Sequence, residues 1–209
     1  MGTTDAKIFL SLAAVILFSI AGYYWIDIPV AVFCKGMDPW VSNVFDWIST
    51  WGESTWYLIT ALGLFFYFRQ FRPRPLYANR ALFVFASVAV SGLVALLVKA
   101  IFGRFRPILY FTQGLYGFNF FHPSEDMNSF PSGHAATALS LAFALSRLFP
   151  QYRIHFFSIG LTIAISRTIT TAHFLSDTVA GAWIGIVTVC LLHRALIQKG
   201  KAQSFGLKT

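Results

Sequence analysis

RALFVFASVAVSGLVALLVKAI, residues 80–101, is the stretch that decides the fold. Residues 81–98 carry no charge, and a cation stands at each end of the run, Arg80 and Lys99. A bilayer core is crossed by a helix of roughly 20 apolar residues, which this run supplies. Five further runs read the same way: 8–26, 56–68 (short unless its flanks are counted), 134–149, 154–171 and 176–197. The whole chain of 209 residues is 56% hydrophobic and 11% charged. Soluble domains of this length are rarely so apolar. We therefore expect an all-α polytopic membrane protein, a bundle of six transmembrane helices forming one domain over residues 1–209, with no internal repeat.

Charge placement orients the bundle. With the N-terminus inside, the inner segments hold Lys7, Arg69, Arg72, Arg74, Arg80, Arg147, Arg153, Arg194, Lys199, Lys201 and Lys208, which is 11 of the 16 basic residues. The outer segments hold Lys35, Lys99, Arg104, Arg106 and Arg167, together with every acid except Asp5. The positive-inside rule then predicts that both termini are cytoplasmic. The net charge of +8 is thus an orientation signal, and basic residues confined to helix ends argue against a nucleic-acid partner. The first run is long for a secretory leader and reads as a retained span. Cys34 and Cys190 fall at different depths, so no disulfide is expected, and no metal-ligand spacing is present.

One segment between the first two runs does not cross. Trp40, Val44, Trp47, Ile48 and Trp51 share one helical face, and Ser42, Asn43, Asp46, Ser49 and Glu53 the other. Asp38-Pro39 supplies a helix start and Gly52 an end, giving an amphipathic helix over 38–52. It should lie flat at the outer surface. We read it as an anchor of the bundle rather than a guide for lipid.

Three clusters of ionisable residues stand out against this apolar background: Lys99 with Arg106-Pro107; Pro131-Ser132-Gly133-His134; and Ser166-Arg167 with His173 and Asp177. Charges at membrane depth are costly, so they mark a functional site by default. The topology brings all three to the outer side. Pro131 suits a first helical turn, leaving the N–H groups of Ser132, Gly133 and His134 unpaired to attract an anion. Arg106 and Arg167 each offer a planar fork for phosphate oxygens, Lys99 a mobile charge, and Ser132 a hydroxyl donor. His173 and Asp177 lie four apart, so on a helix they share a face, where the carboxylate takes the proton of one ring nitrogen and frees the other to attack phosphorus. His134 then serves as acid for the leaving oxygen and as base for water. No metal or other cofactor is required.

Together these motifs resemble the complete signature of the type 2 phosphatidic acid phosphatase superfamily, with core motifs over residues 99–177. That resemblance implies a metal-independent lipid phosphatase of the bacterial inner membrane with its site facing the periplasm. His173 would be the nucleophile, Asp177 its orienting partner and His134 the acid/base; Lys99, Arg106, Ser132, Gly133 and Arg167 would bind phosphate. The substrate would be a lipid A phosphate, undecaprenyl pyrophosphate, phosphatidylglycerophosphate or phosphatidic acid. Transfer of the phosphoryl group to a second lipid uses the same residues. Anion transport is the alternative of another class, weakened because no charged relay continues into the inner halves of the spans.

Other residues receive plainer readings. His155 and His193 read as packing residues near cytoplasmic helix ends, and His122 as a loop residue beside Glu125 and Asp126. Arg104 either touches phosphate or snorkels to the interface. Gly181 and Gly185 read as a close helix contact on the last span.

Overall fold

A computed structural model describes residues 3–122 and 127–207. Among these the chain is helical, with one isolated bridge between Arg104 and Phe118 and no strand. The first rod joins α1 (Thr3–Ala21) to α2 (Asp27–Lys35) through a wider π-helical turn over Gly22–Ile26. Then follow α3 (Pro39–Thr50), α4 (Ser54–Phe66), α5 (Pro75–Phe102), α6 (Pro107–Gln113), α7 (Gly133–Leu148), α8 (Arg153–Ile169) and α9 (Leu175–Gln198). Glu125, Asp126 and Lys208 lie outside the described residues.

Among the described residues three helices are long and apolar enough to cross a membrane: Asp5–Lys35, Pro75–Phe102 and Leu175–Gln198. The first exceeds its expected bounds, so Asp27, expected outside the span, sits within the rod. The three shorter helices, α4, α7 and α8, have 13, 16 and 17 residues. At 1.5 Å per residue α7 and α8 reach roughly 24–26 Å, less than the hydrocarbon thickness, while α4 is extended by a π-helical turn over Tyr67–Phe71.

Local chemistry accounts for the helix ends. Pro75 opens α5, where its missing N–H costs nothing. Gly103 closes it in the left-handed region at φ 53°, and a side chain there would strike the Asn119 carbonyl at 2.0 Å. Asp38 caps α3 by accepting the Trp40 N–H at 2.8 Å, as its sequence predicts. The start of α7 departs from expectation. Pro131 stands before the helix and Ser132 is its N-cap, accepting the Ala135 N–H at 3.4 Å.

α7 is the hub of the packing. It lies against α5, α8 and α9, and its buried Ala135, Ala136, Ala138, Ala142 and Ala144 let those neighbours approach. Small residues allow such contact where lipid supplies little hydrophobic drive. Gly181 and Gly185 face α7 so closely that an added Cβ would lie 2.2 Å from the Ser132 carbonyl or 2.4 Å from that of Ala136. A buried hydrogen bond of 3.0 Å from Ser91 to Ser140 ties α5 to α7. Large apolar side chains point outward instead, including Phe9, Leu17, Leu93, Leu96 and Leu97. Such a surface suits lipid rather than water.

Candidate active site

The ends of α5, α7, α8 and α9 meet on one side of the bundle. The Ser132 N–H donates to the Asp177 carbonyl at 2.9 Å, joining the first turns of α7 and α9. This bond corrects one expectation: the Ser132 N–H is not free for an anion. Gly133 and His134, as the first helical residues, keep N–H groups without an intrahelical acceptor. His134 packs against Gly52, where an added Cβ would come within 2.7 Å of the imidazole. A cleft of 290 Å³ lined by Glu53, Lys99, Gly133, His134 and Thr137 opens beside it.

Three basic side chains surround this point. Lys99, in the last turn of α5, donates to the Asn128 carbonyl. Arg106 is the N-cap residue of α6, and Arg167 in α8 donates to the Ser49 hydroxyl at 2.9 Å. Their charges act together on His134 and on His173. The Nε groups of Arg106 and Arg167 are buried without a protein acceptor. Arg80 and Arg104 share that feature, so the convergence of like charge, rather than the orphaned donor, is what marks an anion site.

His173 is buried but not helical. It lies in the turn between α8 and α9, which closes with the Ala172 and His173 N–H groups both on the Arg167 carbonyl. Thr171 in this turn takes a left-handed conformation at φ 52°, which β-branched residues rarely adopt. The expected helical face shared by His173 and Asp177 is therefore absent. His173 Nδ1 lies 2.7 Å from the Ser129 backbone carbonyl. A carbonyl only accepts, so Nδ1 carries the proton and Nε2 keeps its lone pair. Burial, then the charges of Lys99, Arg167 and Arg106, hold the imidazole well below its ordinary value, against an opposing pull from the Ser129 carbonyl. The ring is thus neutral.

Asp177 stands 3.9 Å from His173 Nδ1, beyond hydrogen-bond reach, and does not take its proton. Its Oδ2 instead accepts the Ser129 hydroxyl at 2.6 Å and the Phe174 N–H at 2.9 Å, capping α9. Its Oδ1 accepts from Arg104 Nη1 at 2.5 Å.

Arg104 answers to neither expectation. It is 1% exposed, touching neither water nor the convergent cations' pocket, and its second nitrogen reaches Asp27 at 2.8 Å. Phe174, Tyr23, Phe118 and Tyr116 enclose its guanidinium at 4.6–5.5 Å from their ring centres. Burial draws its pKa down, but Asp177 and Asp27 outweigh this and raise it above the ordinary value.

Two participants escaped the sequence reading. Asp27 left a signal, an acid directly after an apolar run; Ser129 left none, because its main function here is a backbone carbonyl. The amphipathic helix also touches one of the convergent cations. α3 presents Ser49 to Arg167, while Trp40, Trp47 and Trp51 stay exposed on its other side. His193 is buried on α9, His155 is exposed near the Tyr152 ring, and His122 is exposed with Nδ1 2.9 Å from the Phe120 carbonyl. Among the described residues no three His, Cys, Asp or Glu side chains gather as a metal site.

Comparison with known proteins follows this geometry. The family model of the PAP2 superfamily matches residues 80–201. A lipid A 1-phosphatase of Rhizobium johnstonii is 30% identical over 204 residues, covering 91% of this chain and 81% of that protein. A lipid A 4'-phosphatase of Porphyromonas gingivalis is 28% identical over 145 residues, covering 64% and 57%. Among solved structures, Aquifex aeolicus LpxE has a TM-score of 0.60 at 20% identity, covering 82% of this chain and 96% of that one. A transmembrane PAP2-type phosphatidylglycerolphosphate phosphatase from Bacillus subtilis has 0.58 at 20% identity, covering 90% and 96%. These two share the fold.

Proposed function

The chain belongs to the PAP2 superfamily and is a membrane lipid phosphatase, and from that premise we propose that it removes a phosphate from lipid A through a phosphohistidine. The site faces the periplasm from a six-span bundle in a bacterial inner membrane, with α4, α7 and α8 as the three shorter spans. The rhizobial relative supports lipid A as the substrate and its 1-position as the first phosphate to test.

The observation that carries the mechanism is the Ser129 carbonyl on His173 Nδ1, which leaves a neutral Nε2 among three cations. Arg106, Arg167 and Lys99, with the free N–H groups of Gly133 and His134 and the Ser132 hydroxyl, hold the phosphoryl oxygens. His173 Nε2 forms a bond to phosphorus as the bond to the lipid oxygen breaks, and His134 gives that oxygen its proton. His134 then takes a proton from water, whose oxygen attacks phosphorus. The N–P bond breaks, phosphate leaves and His173 returns to its neutral form. Asp177, 3.9 Å away, favours the cationic ring of the intermediate by its charge.

Purified protein in detergent with chelator present should release phosphate from lipid A 1-phosphate faster than from undecaprenyl pyrophosphate, phosphatidylglycerophosphate or phosphatidic acid. His173→Ala should abolish both turnover and the phosphoenzyme. Full activity in that variant would overturn the assignment. Labelled lipid acceptor without free phosphate would replace hydrolysis by transfer, and neither product would leave anion transport.

A further inference from the structure

The first rod reaches into the site through Asp27 and Tyr23, and Asp27 makes the denser set of contacts. Asp27, 0% exposed, opens α2 directly after the π-helical turn. Its Oδ1 accepts the Ser176 N–H at 2.9 Å, and its Oδ2 accepts the Ser176 hydroxyl at 2.5 Å and Arg104 Nη2 at 2.8 Å. Gly22 permits this approach, since a Cβ there would stand 2.9 Å from that of Ser176. Arg104 Nη1 in turn bridges the Ser176 hydroxyl at 2.8 Å and Asp177 Oδ1 at 2.5 Å. Tyr116 accepts from Arg104 Nη2 at 3.0 Å and donates to the Tyr23 carbonyl at 2.6 Å. Asp27 and Tyr23 both precede residue 80, where the family match begins.

We propose that Asp27 and Arg104 are positioning residues for attack, holding Asp177, and through it Ser129 and His173, in the reactive arrangement. The inference rests on the phosphohistidine mechanism above. Position follows from the chain of bonds. Arg104 holds Oδ1 of Asp177, which leaves Oδ2 to the Ser129 hydroxyl, and the Ser129 carbonyl orients the imidazole. Charge follows from counting. One guanidinium lies between two carboxylates, so Asp27 neutralises Arg104 and the charge of Asp177 remains for His173. With Asp27 neutral, Arg104 would cancel Asp177 as the ring becomes cationic on bonding to phosphorus. Arg106, Arg167, Lys99, Gly133 and His134 lie outside this network, and Ser132 meets it only through its N–H on the Asp177 backbone carbonyl, so binding and attack should respond differently to its loss.

Asp27→Asn tests this, because it keeps the shape and one acceptor for Ser176 while removing the charge. Rapid-quench phosphoenzyme formation on lipid A 1-phosphate reads the attack step, and inhibition by inorganic vanadate reads the phosphate pocket. We expect attack to slow at least about tenfold while vanadate affinity stays within about twofold. Tyr116→Phe removes one contact of Arg104 and spares both carboxylates. It should show the same split at about threefold, and it decides the matter if Asp27→Asn does not fold. A wild-type attack rate in either folded variant, or a parallel loss of vanadate affinity and rate, overturns the positioning role. A wild-type protein that forms no phosphoenzyme on any of the four lipid classes refutes the mechanism itself; a working wild type with unimpaired variants refutes this inference alone.

Discussion

His173 is the proposed nucleophile, and its surroundings make two predictions at the scale of single residues. Its folded pKa lies well below the ordinary 6.5 because of burial and nearby cations. Below the unfolded value the unfolded chain binds a proton that the folded site refuses, so stability falls as pH drops through 6.5 toward the folded value. Thermal unfolding in detergent between about pH 7.5 and 5 should therefore show a steeper loss for wild type than for His173→Gln. Equal slopes would exclude a buried neutral imidazole. Ser129→Ala removes a buried hydroxyl donated to a carboxylate but leaves the carbonyl that orients the ring. A hydrogen bond to a charged group is worth about 1.5–3 kcal/mol, so kcat should fall about tenfold or more, with KM little changed. An equal rise in KM would instead place Ser129 in substrate binding. The residue types of the site were legible in sequence because membrane depth singles out Lys99, Arg106, Arg167, His134, His173 and Asp177. The partner of His173 was not, since any residue can supply a backbone carbonyl.

At the scale of elements, the contact between α7 and α9 shapes the proposed phosphate pocket. Gly181 fits against the backbone of Ser132, so Gly181→Leu must push the first turn of α7 away from α9. Overpacking of this kind costs about 3 kcal/mol, which should appear as a lower unfolding temperature together with reduced phosphate release. Retained stability would mean that the two helices part at little cost. α3 contacts Arg167 through Ser49. Ser49→Ala frees one nitrogen of Arg167, and we expect KM for lipid A 1-phosphate to rise about fivefold with a smaller change in kcat. An unchanged KM would return α3 to a pure anchor. Its helical period was plain in the spacing of Trp40, Val44, Trp47, Ile48 and Trp51. Which face meets the protein could not be read from that period, because in a membrane setting exposed tryptophan and buried serine reverse the rule for soluble helices.

For the whole molecule, the distribution of charge makes an orientation test. Single cysteines at positions 120 and 200, placed in a background lacking Cys34 and Cys190, should differ: the first labelled from the periplasm, the second only after permeabilisation. The reverse pattern would invert the bundle and move the site to the cytoplasm. The sequence by itself determined that the chain is helical and membrane-embedded, and its motifs already resembled the PAP2 superfamily whose model matches residues 80–201. Hydropathy, charge placement and motif spacing are local quantities written along the chain. Only the tertiary structure decided that Pro131 precedes its helix, that Asp177 stands off from His173, and that Arg104 is buried between Asp27 and Asp177. Those facts depend on which groups meet across 27, 104, 129 and 177. Such meetings are set by the close approach that Gly22, Gly181 and Gly185 allow between helices, and no periodicity in the chain records them.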